Sequence, residues 1–309
     1  MNTYGIEIEF TCRVSIYDVA QALQNAGVAC EAEGYNHSTR SHWKVVTDAS
    51  VRGGYEVVSP ILNDNNFESE IKKVCEGLAS INAGINRSCG LHVHHGARDL
   101  TVETAKNLVK MYKANESHID SFMPRSRRDN NNQYVRTLEA VSVASIESAD
   151  DLRDVSYAMG TRYRKINLES FWRHGTVEFR HHSGTVEASK IINWVKLTRA
   201  MLNVANEREM GRAANLNEFL NNVLGSAVDS SRAVNPRAGS MLAEAKVLFD
   251  RGHSNESVLD ALKELFPEAK SLNLRRMNQF KKKLFPVAAA VNNSELVEFF
   301  MNRAANFAA

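Results

Sequence analysis

Along the first two hundred residues, apolar and polar positions alternate with two different periods. Five short runs change side at every residue, as strands do when a core covers one face. In "GIEIEF", Ile6, Ile8 and Phe10 alternate with Glu7 and Glu9, so both carboxylates leave the same face. In "GLHVHHG", Leu91 and Val93 point one way and His92 and His94 the other, while His95 falls on the apolar side. "TVEFRHHSGT" sets Val177 and Phe179 against Glu178 and Arg180. "YRKINLES" sets Ile166 and Leu168 against Lys165, Asn167 and Glu169. "YEVVSPI" is less regular and offers Glu56 ahead of Ser59 and Pro60.

Between these runs the period lengthens to that of a helix. "SIYDVAQALQNAG" (15–27) predicts an amphipathic helix with Ser15 as N-cap and Gly27 at its stop. Residues 66–84, 101–122 and 187–207 repeat the pattern, the last with Ile191, Ile192, Trp194, Val195, Leu197 and Leu202 among its apolar positions. Residues 225–240, "GSAVDSSRAVNPRAGS", are rich in Ser, Gly and Pro and predict a linker or long loop. Beyond them the pattern is helical, with two helices broken at Gly252 and Ser254 capping the second. The expected organisation is a mixed α+β domain over 1–206 followed by a helical region over 207–309. No internal repeat of solenoid period is visible.

Composition narrows the class. A chain of 309 residues buries a full core, and 43% apolar with 24% charged residues is ordinary for a globular protein. A formal net charge of +2 gives no global pull toward nucleic acid or membrane. No apolar run reaches transmembrane length, and "MNTYGIEIEF" lacks a signal-peptide layout, so a cytoplasmic protein is expected. Cys12, Cys30, Cys75 and Cys89 form no CxxC pair, which argues against a zinc ribbon or redox pair and fits reduced thiols. Cys89, beside the histidines, reads as a small buried residue.

Each alternating run taken alone is a half-solvated strand. Together their polar faces carry glutamates, histidines, arginine and asparagine rather than the usual mixture of Thr, Lys, Ser and Gln. In one sheet, four carboxylates would converge. Each pair at ~6 Å repels by roughly 3 kcal/mol at an effective dielectric of ~20, which calls for a compensating cation. Zinc prefers nitrogen and sulfur, and Cys89, three residues from His92, faces away on a continuing strand. Carboxylates suit magnesium or manganese, and magnesium held this way commonly takes phosphate oxygens, for which Arg180 supplies a bidentate donor. No GxxxxGK[ST] occurs and no GxGxxG follows a strand, so any nucleotide is held by metals and arginines. "PRSRRDNNNQY" adds Arg125, Arg127 and Arg128 on a loop that either binds phosphate or is solvated.

"GIEIEF", "WKVVTDASV", "YEVVSPIL", "CGLHVHHG", "SRRDNNNQY", "YRKINLES" and "TVEFRHHSGT" stand in the order seen in the amidoligases, which the chain resembles over roughly residues 1–206. These belong to the carboxylate–amine ligase group with a glutamine-synthetase-like fold. The resemblance implies an antiparallel sheet with helices packed on one face and a concave face that binds ATP and about two magnesium ions. It implies metal binding by Glu7, Glu9, His92 and Glu178. His94 would lie nearer the nucleotide or its phosphates, and Arg180 would contact the transferred phosphoryl group. Asp48 and Glu56 sit in the motif that supplies further acidic groups. Arg128, Tyr163 and Asn167 match positions expected on the nucleotide side. The activity implied is ATP- and magnesium-dependent joining of a carboxylate to an amine, on a small molecule, peptide or protein, through an acyl phosphate. The alternatives are a kinase of the same fold, a nucleic-acid-binding protein acting through its C-terminal helices and, weakest, a zinc hydrolase on His92 and His94. For the second alternative, Lys270, Arg275, Arg276, Lys281, Lys282 and Lys283 form an acid-free basic run over 270–285. A solvated helix is the favoured reading of that run.

Overall fold

The structure, a computed structural model, describes residues 2–225, 241–250, 254–267, 293–308 and single positions or short runs between 269 and 280. It divides into two compact units, Met1–Leu224 with Glu295–Ala309, and Gly225–Ser294.

The first unit is built on a sheet of eight strands: β1 (Thr3–Thr11), β2 (Cys30–Ala32), β3 (Trp43–Val46), β4 (Gly54–Val58), β5 (Leu62–Asn63), β6 (Gly90–Gly96), β7 (Ile166–Asn167) and β8 (Thr176–Ser183). The order is β2-β3-β4-β1-β6-β8-β7, with β5 on the first residues of β1. Every pairing is antiparallel except β2 with β3. Parallel neighbours need a crossover. Here residues 33–42 form it without a regular element.

The helices begin where the sequence predicts. In α1 (Ile16–Asn25), the Ser15 hydroxyl accepts from Asp18 N at 3.2 Å and the Asp18 carboxylate accepts from Ser15 N at 3.2 Å, a reciprocal cap. Gly27 then takes a left-handed φ of +80° beyond its end. α2 (Phe67–Ser80), α3 (Val102–Ser121, capped by Thr101) and α7 (Ala188–Glu207) are the long helices. α4 (Val143–Glu147), α5 (Leu152–Met159) and α6 (Ser170–His174) are short. Ile6, Ile8 and Phe10 of β1, Leu91 and Val93 of β6, and Val177 and Phe179 of β8 are fully buried. They share one core with Ile71 and Val74 of α2, Leu108 and Tyr112 of α3, and Ile191 and Trp194 of α7. Each large side chain buried there contributes about 1.5–3 kcal/mol. That drive fixes which way each strand faces, and so delivers the odd-numbered residues of β1 to the other face. His95 goes with the core face, where its Nε2 lies 2.8 Å from Thr198 Oγ1 of α7.

Lys165 departs from its expected side. It is fully buried toward α3, with Nζ 2.5 Å from Glu116 Oε1 and 2.6 Å from Asp120 Oδ1. β7 is only two residues long, so strand parity does not extend back to Lys165. Two further helices, α8 (Leu216–Leu224) and one from Asn293 to Ala308, complete this unit. In the latter, Phe300 is fully buried with its ring 4.8 Å from that of Phe122, and Arg303 Nε donates to Phe122 O at 2.8 Å.

The second unit contains α9 (Met241–Asp250) and α10 (Asn255–Leu265); the helix from Asn293 is therefore α11. Ala245, Val258, Leu262 and Met277 form its small core, and the Ser254 hydroxyl caps α10 by accepting from Ser257 N at 3.2 Å. The expected break at Gly252, all of the linker but Gly225, and, of the six basic residues in the 270–285 run, all but Arg276 lie outside the described residues. No described helix is long and apolar enough to cross a membrane.

Candidate active site

Register lines up the polar face in rows across the sheet. Val46, Glu56 and Glu9 form one row, and Lys44, Val58, Glu7 and His92 the next. Gly5, His94, Glu178 and Asn167 form a third. The pairing of β6 with β8 slips between Leu91 and Val93, so His92 has no direct partner on β8. Asp48 comes from the turn after β3, where its Oδ1 accepts from Ser50 N at 2.6 Å and Ser50 Oγ at 2.5 Å. All of these acidic groups line one cavity of about 1000 Å³.

The cluster is internally bonded. His92 Nδ1 lies 2.9 Å from Glu7 Oε2, and its Nε2 3.8 Å from Glu9 Oε1. His94 Nδ1 lies 3.0 Å from Thr176 Oγ1, and its Nε2 3.5 Å from Glu7 Oε1. Glu178 accepts from Asn167 Nδ2 at 2.6 Å and from Arg180 Nη1 at 2.5 Å. The backbone N–H of Gly90 donates to Glu9 Oε2 at 2.5 Å.

These contacts sort the carboxyls by proton affinity. Burial pushes Glu7 upward, but hydrogen bonds from His92 and His94 outweigh it and hold Glu7 well below the usual carboxylate range. At Glu178 burial is again outweighed, by Arg180 and then the histidines, leaving it at about 2. Glu56 has no such partner. Burial, with Glu7, Glu9 and Asp48 repelling it, raises Glu56 well above the ordinary value. His94 is raised because Glu178 and Glu7 outweigh its burial.

Three sets of donors each have their ligand atoms within 4.8 Å of one another: Glu7, His94 and Glu178; Glu7, Glu56 and His92; Glu9, Asp48 and Glu56. Glu7 and Glu56 are each shared by two sets, so the sets form a continuous chain. The donors are mostly carboxylate oxygen with two imidazoles, which suits a hard divalent cation. A carboxyl of raised proton affinity among other carboxylates is what like-charge crowding produces before a cation enters. Cys89 supplies no thiolate, since it is buried with Sγ against Asn86, 3.5 Å from N and 3.6 Å from Oδ1.

Arginines border the acidic end. Arg180 also reaches Tyr134 O at 3.4 Å and lies over the Tyr163 ring, 5.9 Å from its centroid. Arg162 stands closer to the same ring, at 4.9 Å. From the turn Arg125–Arg127 it is Arg127 that lines the cavity, buried, donating to Ser88 O at 3.2 Å and to Cys89 O. Arg128 does not line it. Its Nε donates to Met123 O at 2.8 Å, and its guanidinium lies 5.7 Å from the Phe307 ring centroid. Glu7, Glu9, Asp48, Glu56, His92, His94, Tyr163, Asn167, Glu178 and Arg180 are thus brought together, and Arg128 is not.

Sequence reasoning passed over Lys44. It is buried in "WKVV" and its Nζ donates to Asn36 O at 2.9 Å, Asn36 Oδ1 at 2.7 Å and Ser38 O at 2.9 Å. The lysine thereby ties residues 35–39, which line the cavity, to the sheet. The available signal was a lysine inside an otherwise apolar strand.

A helix-backed, mostly antiparallel sheet with an oxygen-rich polar cleft is the class that fold and site define. The family model described as "Putative amidoligase enzyme" matches residues 1–202, and the chain belongs to that family. The family places it among amide-bond-forming ligases, with a carboxylate and an amine as the reactants at issue. No curated protein matches the chain.

Proposed function

We propose that the protein is an ATP- and magnesium-dependent carboxylate–amine ligase that works through an acyl phosphate, on a glutamine-synthetase-like core. The observation that carries this reading is the convergence of five carboxylates and two histidines with Arg127 and Arg180 in one cleft. A carboxylate is a poor electrophile, so an amine attacks it only after one oxygen becomes part of a leaving group. In the reaction proposed, the acid's oxygen attacks the γ-phosphorus of ATP and the bond to ADP breaks. The amine nitrogen then attacks the acyl carbon, phosphate leaves, and the nitrogen loses a proton.

Glu7, Glu9, His92 and Glu178, with Glu56 and Asp48 beside them, would hold magnesium or manganese, which supplies neutralisation of phosphate charge. Arg180 is aimed by Glu178 and Tyr163 and stabilises the transferred phosphoryl group, while Arg127 adds a second guanidinium at the same end. Asn167 fixes the orientation of Glu178. His94 and Tyr163 stand on the nucleotide side. Glu56, the carboxyl with the highest proton affinity, is assigned to the amine proton, with Asp48 next to it.

The test is incubation with ATP and magnesium against a library of carboxylic acids and amines, following ADP and product masses. An amide formed together with ADP and phosphate supports the reading. A phosphorylated product with no amide assigns a kinase instead, and stoichiometric zinc in the purified protein overturns the site.

A further inference from the structure

The cleft extends beyond its acidic rows. One step further along β1, Thr3 meets Gly96 of β6, which pairs with Thr176 of β8. This floor is low. A Cβ on Gly96 would lie 2.0 Å from Thr3 Oγ1, and one on Gly5 would lie 3.2 Å from His94 Cβ. The Thr3 side chain already fills the space over Gly96 and His94 crowds Gly5, so Thr3, Gly96 and Thr176 together form the cleft floor beside the Glu178 row.

Three further guanidiniums line the same cavity. Arg98 follows β6 and lies against Gly175, Arg173 comes from α6, and Arg199 from α7, all three lining the cavity. Among the described residues none of them makes a side-chain hydrogen bond or ion pair, although the chain's other cavity arginines, Arg127, Arg162 and Arg180, all do. Arg199 is the most telling. Its Nε is buried and unpartnered. The acidic groups near it are Asp64, already accepting from Asn2 N at 3.0 Å and Tyr4 OH at 2.5 Å, and the exposed Asp99. A buried guanidinium N–H without an acceptor is costly unless a ligand supplies one.

We infer that this end of the cleft, formed by Arg98, Arg173 and Arg199 over the Thr3–Gly96–Thr176 floor, binds a second, non-reacting carboxylate of the acid substrate. The inference rests on the ligase reading for its direction: the reacting carboxylate lies at the Glu178 and Arg180 end. Thr3 is two residues from Gly5, the β1 member of the Glu178 row, about 7 Å along a strand. A short dicarboxylate, an acidic amino acid or a peptide chain end carries its second carboxylate at that reach. Nucleotide phosphates are assigned to the other end, where the cation ligands are.

The test uses the full chain and two probes, glutarate and its monoamide glutaramate, titrated calorimetrically with magnesium and ATP present. Glutarate is expected to bind at least tenfold more tightly than glutaramate. Arg199→Met and, separately, the exposed Arg173→Met should bring glutarate to the glutaramate level while leaving glutaramate within about twofold. Arg173 makes no hydrogen bond, so that variant keeps the test independent of folding at Arg199. A wild-type protein that binds both probes equally overturns the inference. So do variants that lose affinity for magnesium–ATP while keeping the glutarate preference, because the arginines would then hold nucleotide. If no acid in the library yields an amide yet the arginine-dependent preference is present, the anion site stands and the ligase reading falls. If amides form from monocarboxylates as efficiently as from dicarboxylates, this inference alone falls.

Discussion

Lys165→Met removes a buried cation that the site depends on from behind. Lys165 is fully buried and faces Glu116 and Asp120 at 2.5 and 2.6 Å, while its carbonyl accepts from Arg180 N at 2.9 Å. Methionine keeps the length and leaves buried Glu116 and half-buried Asp120 without their cation, so a loss of about 3–5 kcal/mol at pH 8 is expected. For a unit of this size that lowers the melting temperature by roughly 6–20 °C. The pH dependence is the sharper test. His181 Nε2 lies 2.7 Å from Asp120 Oδ1. Burial and then Lys165 hold the His181 imidazole down at about 4, against the pull of Asp120. In the wild type the unfolded chain therefore takes up this proton first, and stability falls as pH drops from ~6.5 toward 4, by about 2 kcal/mol at pH 5. Without Lys165, His181 becomes the cation beside Asp120, its proton affinity rises, and that acid loss disappears. Denaturant unfolding of both proteins at pH 8 and pH 5 should show the penalty shrinking by about 2 kcal/mol at the lower pH. An equal penalty at both values, or one below about 1 kcal/mol at pH 8, would refute the assignment of Lys165 as the balancing charge.

Glu178→Gln and Arg180→Lys should fail differently. The first removes a cation ligand and weakens magnesium-dependent ATP binding in a calorimetric titration. The second keeps ATP binding near normal but loses on the order of a hundredfold in ATP turnover, because a planar fork matters most as charge spreads in the transition state. Burial and its acidic neighbours raise the proton affinity of Glu56 well above the ordinary carboxylate value, so cation binding should release protons and tighten as pH rises. Titrations in buffers of different ionisation enthalpy would detect that release, and Glu56→Gln should abolish it. Phe300→Ala should destabilise the first unit by about 3–5 kcal/mol in thermal unfolding, since the side chain is fully buried against Phe122. A mutant as stable as the wild type would show that α11 is dispensable to that unit.

What could be read from the chain was what strand parity and helix caps encode locally. Period-two alternation put Glu7 with Glu9, His92 with His94 and Glu178 with Arg180, because core burial forbids a one-residue slip. Ser15 and Ser254 marked helix starts through their own hydroxyls. Parity failed at Lys165, where the strand is two residues long and a helix more than forty residues earlier supplies the carboxylates. It also had nothing to say about Arg127 and Arg128. Neighbours on one turn, they separate because Arg127 finds the carbonyls of Ser88 and Cys89, while Arg128 finds Met123 O and Phe307. Lys44 escaped because its acceptors are carbonyls of an irregular segment, which no periodicity announces.

The most direct test of an acyl-phosphate ligase is the fate of the acid's oxygen. An acid that supports ADP release is labelled with ¹⁸O in its carboxylate and incubated with the protein, ATP, magnesium and the amine. The phosphate formed is then analysed by mass spectrometry. Phosphoryl transfer to the carboxylate, followed by amine attack at carbon, predicts one labelled oxygen in each phosphate released with an amide. Amide formed alongside unlabelled phosphate would contradict it.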